Sequence, residues 1–279
     1  MANPLSRLSI LLNLKIHKWA GEVSDPKALR AVAKAFGGTT HHDRYRKSLF
    51  VTNALEAIDK CAGRIRLNFY KWTLAWLDGG NGRLVSSMDF RDFSTAHTGL
   101  VGDFEQAVDQ FLLDYPEHKQ QAKKDKGDLY NEHEYPDIAE LRSRFYIELT
   151  TLPFPDSTDF RVEAPEQIIQ ELTRSVDESI NAVVHNVEND IRMRVTERVT
   201  LVHQGLTGGK RWARTLFEEL AFITDMGLHM KEILPKKLGK DLEFIKKHIS
   251  GLDVDKLRNS ESGKDVCVKA CVSVLKSLK

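Results

Sequence analysis

The sequence predicts a mainly α-helical protein built on a long antiparallel helical hairpin, with additional helices and a small β element. Three observations carry this expectation. An apolar stripe of helical period runs from Ile169 to Val202, a glycine-rich turn with a second, matched stripe follows it, and helix-capping residues punctuate much of the remaining chain.

The stripe comprises Ile169, Leu172, Val176, Ile180, Val183, Val187, Ile191, Val195, Val199 and Val202. Its mean step is about 3.67 residues, the value of an eleven-residue repeat, so the stripe follows a nearly straight helix rather than winding left-handed as heptads do. A helix of roughly 40 residues from Pro165 would be about 60 Å long, and it cannot cover such a stripe alone. Its expected partner begins after the turn Gly205–Gly209. Trp212, Leu216, Leu220, Ile223, Gly227, Met230 and Leu234 repeat the spacing until Pro235. Two matched stripes joined by a short turn make a helical hairpin.

The remaining elements are read in chain order. Ser9–Trp19 alternates at Leu12, Leu14 and Ile16, as a strand does. A helix follows, with Ser24 or Asp25 as N-cap, Pro26 in the first turn and Gly37-Gly38 beyond its end. A second helix is expected from about His42 to Ala62, with Tyr45, Leu49, Thr52, Leu55, Ile58 and Ala62 on its inner face. Arg66–Leu77, rich in aromatic residues, reads as extended and ends at the turn 78–82. Phe104, Val108, Phe111 and Leu112 mark a short helix stopped by Tyr115-Pro116. Pro136 suits the first turn of a helix carrying Ile138 and Leu141, and two short strands are expected between Phe145 and Arg161. Two or three short helices fill the tail, the last with Cys267, Cys271, Val274 and Leu278 on one face. The expected organisation is a mixed helical domain with short strands over 1–164, the hairpin over 165–235, and a basic helical tail over 236–279.

Hydrophobic residues make up 41% of the chain and charged residues 29%, enough apolar content to exclude a disordered polymer. The N-terminus has no basic segment before its apolar run, and Leu8–Leu14 is too short for a membrane span. Three cysteines without paired spacing suit a reducing compartment. The expectation is a cytoplasmic protein that does not enter a membrane. Net charge is +1 but uneven: residues 1–72 sum to +8, residues 128–190 to −11 and residues 235–279 to +5. Such separation steers charged partners or lets parts of the chain complement one another.

Gly205–Lys210 resembles a phosphate loop only superficially. Three residues rather than four separate Gly205 from Gly209, Arg211 follows Lys210, and a helix precedes it. The sequence contains no HExxH, CxxC or G-x-S-x-G pattern, so no catalytic residue, metal ligand or cofactor is nominated. Cys267 and Cys271 read as small buried residues. One set could bind nucleic acid: Arg44, Arg46, Lys47, Arg64, Arg66 and Lys71 around the aromatic residues Trp72 and Trp76. Cations for phosphate with rings for bases are the means of single-strand binders. The competing reading is an aromatic core under a solvated basic rim. The basic tail could likewise be a small helical DNA-binding module, on charge alone.

Several ordered phrases carry a family resemblance: Thr73-x-x-Trp76-x-Asp78 with Gly82-Arg83-Leu84; Phe111-Leu112-x-x-Tyr115-Pro116; Gly127–Asn131 leading to Tyr135-Pro136; and Phe145 with Pro153-x-Pro155 before Asp159–Val162. In that order they resemble a bacterial and phage family of uncharacterised proteins, domain of unknown function 3150, over roughly residues 8–205. The resemblance implies a mobile-element or phage setting beside a MoxR-type or CobS-type AAA+ ATPase and a von Willebrand A-domain protein. The expected function is a non-enzymatic helical scaffold or adaptor for that ATPase, with self-association through the hairpin also expected. The alternative is a nucleic-acid-binding accessory factor in recombination or defence.

Overall fold

The structure, a computed structural model, describes residues 4–39, 44–51, 53–77, 82–154, 165–208 and 213–278. It is mainly helical with a minor β component, as the sequence predicts. In chain order the elements are α1 (Pro4–Leu8), β1 (Ser9–His17), β2 (Glu22–Ser24), α2 (Pro26–Phe36), β3 (Arg46–Ser48), α3 (Glu56–Trp72), β4 (Leu74–Ala75), β5 (Gly82–Ser86), α4 (Phe90–Lys126), α5 (Ile138–Ser143), β6 (Tyr146–Leu152), α6 (Glu166–Thr207), α7 (Thr215–His229), α8 (Lys236–Ile245), α9 (Val254–Arg258) and α10 (Glu261–Ser277). A sheet of strand order β4-β5-β1-β6 and a two-stranded β2-β3 ribbon complete them. In the larger sheet β1 runs antiparallel to β5, with Ser9 opposite Ser86 and Asn13 opposite Gly82.

The chain divides into two compact units. The first comprises Met1–Asn13, Tyr70–Phe93 and Thr150–Lys279, and the second Leu14–Phe69 and Ser94–Leu149. In the first, α6 is 42 residues long. Its stripe from Val183 to Val202 is fully buried and forms one core with Phe217 and Leu220 of α7, Leu238 and Leu242 of α8, and Cys267 and Cys271 of α10. Arg198 lies 3.1 Å from Glu219, and a side chain at Gly227 would meet Ile191 at 3.2 Å. The later α6 residue therefore faces the earlier α7 residue, and the two helices run antiparallel. Gly227 permits close approach here, since an added Cβ would also fall 2.8 Å from Leu242.

The hairpin is asymmetric. α7 spans only 15 residues: the chain leaves the helix at Met230 and turns into α8, and the other long contact of α6 is made by α10, whose Cys267, Cys271 and Val274 share its core. The turn residues Gly209, Lys210, Arg211 and Trp212 lie outside the described residues, as do Thr40–Asp43, Thr52, Asp78–Asn81 and Pro155–Ala164.

The second unit is held by aromatic packing. Phe50 stands edge-on to Trp19 at 5.8 Å, to Tyr115 at 6.2 Å and to Tyr135 at 6.0 Å, and Phe111 packs on Phe145 at 5.9 Å. The two Tyr-Pro pairs are anchors. The Tyr115 hydroxyl donates to Pro136 O at 2.9 Å and the Tyr135 hydroxyl to Leu49 O at 2.7 Å. Burial pushes both phenols up to about 12.

Four sequence expectations are corrected. Tyr115-Pro116 does not stop the helix, for α4 continues through Pro116 to Lys126. An interior proline costs ~3 kcal/mol or more. Buried Phe104, Val108, Phe111 and Tyr115 before it, Ala122 after it, and the Tyr115 hydroxyl bond offset that cost. Of the helix expected from about His42 to Ala62, residues 44–51 hold β3 and non-helical backbone and residues 56–62 are helical within α3, and the segment expected to be extended over 66–77 is helical to Trp72. The inner face of α3 is Ile58, Ala62, Ile65 and Phe69, a helical spacing that the aromatic content obscured. Pro136 precedes α5 rather than entering it, because Asp137 is the N-cap and accepts from the Glu140 amide at 2.8 Å.

The same stripe is buried in one part of α6 and open in another, which gives a paired test. Ile191→Ala should cost about 2–5 kcal/mol, while Leu172→Ala should stay within about 0.5 kcal/mol of the parent protein. Urea midpoints measure both, and a large loss at Leu172 would mean that its face is covered.

Candidate functional site

The basic and aromatic residues nominated from sequence fall in different units. Arg44, Arg46, Lys47, Arg64 and Arg66 belong to the second; Lys71, Trp72 and Trp76 belong to the first. Lys47 is largely enclosed, its side chain 11% exposed, 2.8 Å from Glu134 and 3.8 Å from Asp25, and it donates to Leu129 O at 2.9 Å. Arg46 lies 3.6 Å from Glu22 across the β2-β3 ribbon, and Arg64 lies 3.0 Å from Asp103. Arg44 and Arg66 are exposed. The Lys71 ammonium sits 4.7 Å over the Phe222 ring, which packs on the first core and stands perpendicular to Trp72 at 4.7 Å. Trp76 is 8% exposed within the first core and stands edge-on to Phe154 at 5.5 Å. Both indoles thus pack on protein, and much of the charge is paired.

Sequence reasoning missed the polar residues that organise this region. Asp190 of α6 accepts from Arg194 at 2.7 and 3.0 Å and from the Ala75 amide at 3.1 Å, and it lies 3.5 Å from Arg83. Arg194 in turn donates to Tyr70 O at 3.2 Å and Thr73 O at 3.0 Å, satisfying carbonyls that the end of α3 leaves without helical partners. Arg83 donates to the Thr73 hydroxyl at 2.8 Å and Thr73 O at 3.0 Å, and stacks over Tyr70 at 4.6 Å. Burial lowers the Arg83 pKa from its ordinary value, and Asp190 opposes that shift. The four-residue spacing of Asp190 and Arg194 was the one available sequence signal. Their distant carbonyl partners left none.

A groove of about 480 Å³ lies beside this network, walled by Tyr70, Met193, Arg194 and Phe222. Arg198 and Glu219, at its other side, pair at 3.1 Å. Its apolar walls, Tyr70, Met193, Phe222 and Ile223, are flanked by Lys71 and Glu197 as well as by the Arg198–Glu219 pair.

The open surfaces lie elsewhere. In the first four turns of α6, Ile168, Ile169, Leu172 and Val176 join neither core, and Leu172 is 38% exposed. Four acids (Glu166, Glu171, Asp177 and Glu178) and the single base Arg174, paired with Glu178 at 2.7 Å, share this arm. In α2 no residue is fully buried. Leu29, Val32, Ala33 and Phe36 form an apolar face on which Val32 is 45% and Phe36 85% exposed. The charges of α2 are Lys27, Arg30 and Lys34. The helix itself is well made. Asp25 caps it by accepting from the Lys27 and Ala28 amides at 3.1 and 3.0 Å, bonds that hold its carboxyl below the usual 3.8, and Gly37 closes it in the left-handed conformation at φ 64°.

Compared with protein-family models, curated proteins and solved structures, the chain matches none. Among the described residues no helix is long and apolar enough to cross a membrane, and no group of three or more His, Cys, Asp or Glu is placed to hold a metal ion.

The Asp190 network makes a direct prediction. Asp190→Ala leaves two largely enclosed guanidinium groups without their carboxylate, and the expected cost is about 3–5 kcal/mol. Arg174→Ala, which breaks an exposed pair on the arm, should change stability by under about 0.5 kcal/mol. Equal urea midpoints for the two variants would contradict a structural role for Asp190.

Proposed function

We propose that the chain is an interaction protein: a non-enzymatic helical scaffold or adaptor whose docking surface is the acidic, apolar arm at the start of α6. The observation that supports this reading most directly is the continuity of the α6 stripe. From Val183 onward every stripe position is buried, whereas Leu172 and its neighbours, in the same register on the same helix, are not. Exposed apolar surface on one straight helix is what a helix-in-groove or helix-on-helix partner uses.

The identity proposed for the partner rests on the family resemblance. In that setting the chain serves an AAA+ ATPase of MoxR or CobS type, together with a von Willebrand A-domain protein, in a phage or mobile element. The residues that carry the resemblance include Trp76, Leu84, Phe111, Tyr115, Tyr135 and Phe145, which are core residues here. They support a shared fold, and the functional step is an analogy drawn from genomic neighbours.

Affinity capture from the native host with nuclease present, read by mass spectrometry, tests the reading. The wild-type chain is expected to retain an AAA+ ATPase, and a Leu172→Asp/Val176→Asp variant is expected to lose at least about tenfold of it. Capture that ignores the arm substitutions would discard the arm as the docking surface. Recovery of nucleic acid alone, lost on nuclease treatment, would discard the adaptor reading in favour of a nucleic-acid-binding factor.

A further inference from the structure

Among the described residues, two amphipathic helices carry apolar faces that join neither core, and their chemistry is opposite in charge and matched in spacing. On α2 the face is Leu29, Val32 and Phe36; on the α6 arm it is Ile169, Leu172 and Val176. Both sets follow the i, i+3, i+7 pattern of a single helical stripe. The charges on α2 are all basic, namely Lys27, Arg30 and Lys34, while Glu166, Glu171 and Asp177 lie on the arm, where Arg174 is already held by Glu178. Self-pairing of two α2 helices would bring like charges together, and so would pairing of two arms.

We infer that α2 of one copy docks on the α6 arm of a second copy, joining chains head to tail. The inference rests on the reading of the arm as a docking surface and names a second copy of this chain as an occupant. The contact is heterologous, so each chain keeps one free α2 and one free arm, and growth ends only when a ring closes. α2 has 11 residues, so the contact buries less than the ~1,200 Å² typical of stable complexes. Association is weak, appears at tens of micromolar or above, and falls with salt because the charges at its rim are exposed.

Sedimentation of the full chain over ~1–200 µM tests this with two variants, Val32→Asp/Phe36→Asp on α2 and Leu172→Asp/Val176→Asp on the arm. All four positions lie outside the cores, so both variants are expected to keep the parental urea midpoint. A second pair reaches the same contact through charge alone: Lys27→Glu/Arg30→Glu/Lys34→Glu and Glu166→Lys/Glu171→Lys/Asp177→Lys. The wild-type chain is expected to grow past a dimer as concentration rises. Each aspartate variant alone should remain monomeric. Their equimolar mixture should form a heterodimer and nothing larger, because it restores one intact contact per pair of chains. The two charge-reversed variants mixed together should likewise associate.

A wild-type chain that stays monomeric throughout overturns the inference, as does association that either aspartate variant leaves intact, or a mixture that fails to recover it. Binding of anionic phosphatidylserine vesicles by a monomeric chain, lost on Phe36→Asp, would assign α2 to a lipid surface instead. Capture of the ATPase by a monomeric chain would sink self-assembly alone. Self-assembly with ATPase capture unaffected by the arm substitutions would discard only the arm as the ATPase's docking surface.

Discussion

The first unit depends on one constraint: a straight apolar stripe along a helix of 42 residues must be covered. Its period of about 3.67 residues keeps the stripe on one side of a nearly straight rod. Coverage comes in pieces. α7 packs on the stripe with Phe217 and Leu220, α10 brings Cys267 and Cys271 against it, and α8 adds Leu238 and Leu242 to the same core. The short α7 follows from this division, since one long partner helix is unnecessary when several short ones pack in sequence. The Asp190–Arg194 pair sits on the flank of the covered part and ties α6 to the end of α3 and to β4 through half-buried hydrogen bonds. Where the covering helices end, the stripe does not. That mismatch produces the arm.

Features governed by local chemistry were legible in the sequence. Asp25, Pro26 and Gly37 specify α2 almost residue by residue, because capping geometry depends only on neighbours. Alternation placed β1 to within two residues. The α6 stripe was legible for the same reason, as periodicity belongs to the helix itself. Features decided by tertiary contacts were not. Pro116 reads locally as a stop, and only the burial of Tyr115 and Ala122 on either side keeps α4 continuous. In α3 the aromatic and β-branched residues argue for a strand, and the helical spacing prevails because Ile58, Ala62 and Ile65 face the second core and Phe69, four residues on, is buried on the same side.

The candidate surfaces show the same division. Composition identified a basic and aromatic segment but could not distinguish a ring that meets solvent from one that packs inside; Trp76 packs inside. The uncovered faces were invisible for the opposite reason. Nothing in the spacing of Leu29, Val32 and Phe36, or of Ile169, Leu172 and Val176, says whether another element lies against them. The charge separation noticed along the chain takes a local form here, with basic residues on α2 and acidic residues on the arm.

Amide hydrogen exchange along α6, read by mass spectrometry at low protein concentration, tests the central claim that one stripe is divided between core and open arm. Backbone opening follows the packing around it. The account predicts protection close to that of global unfolding across 183–202 and exchange faster by at least about a hundredfold across 166–179. Uniform strong protection from Glu166 to Val202 would contradict it, since the arm would then be covered within the single chain.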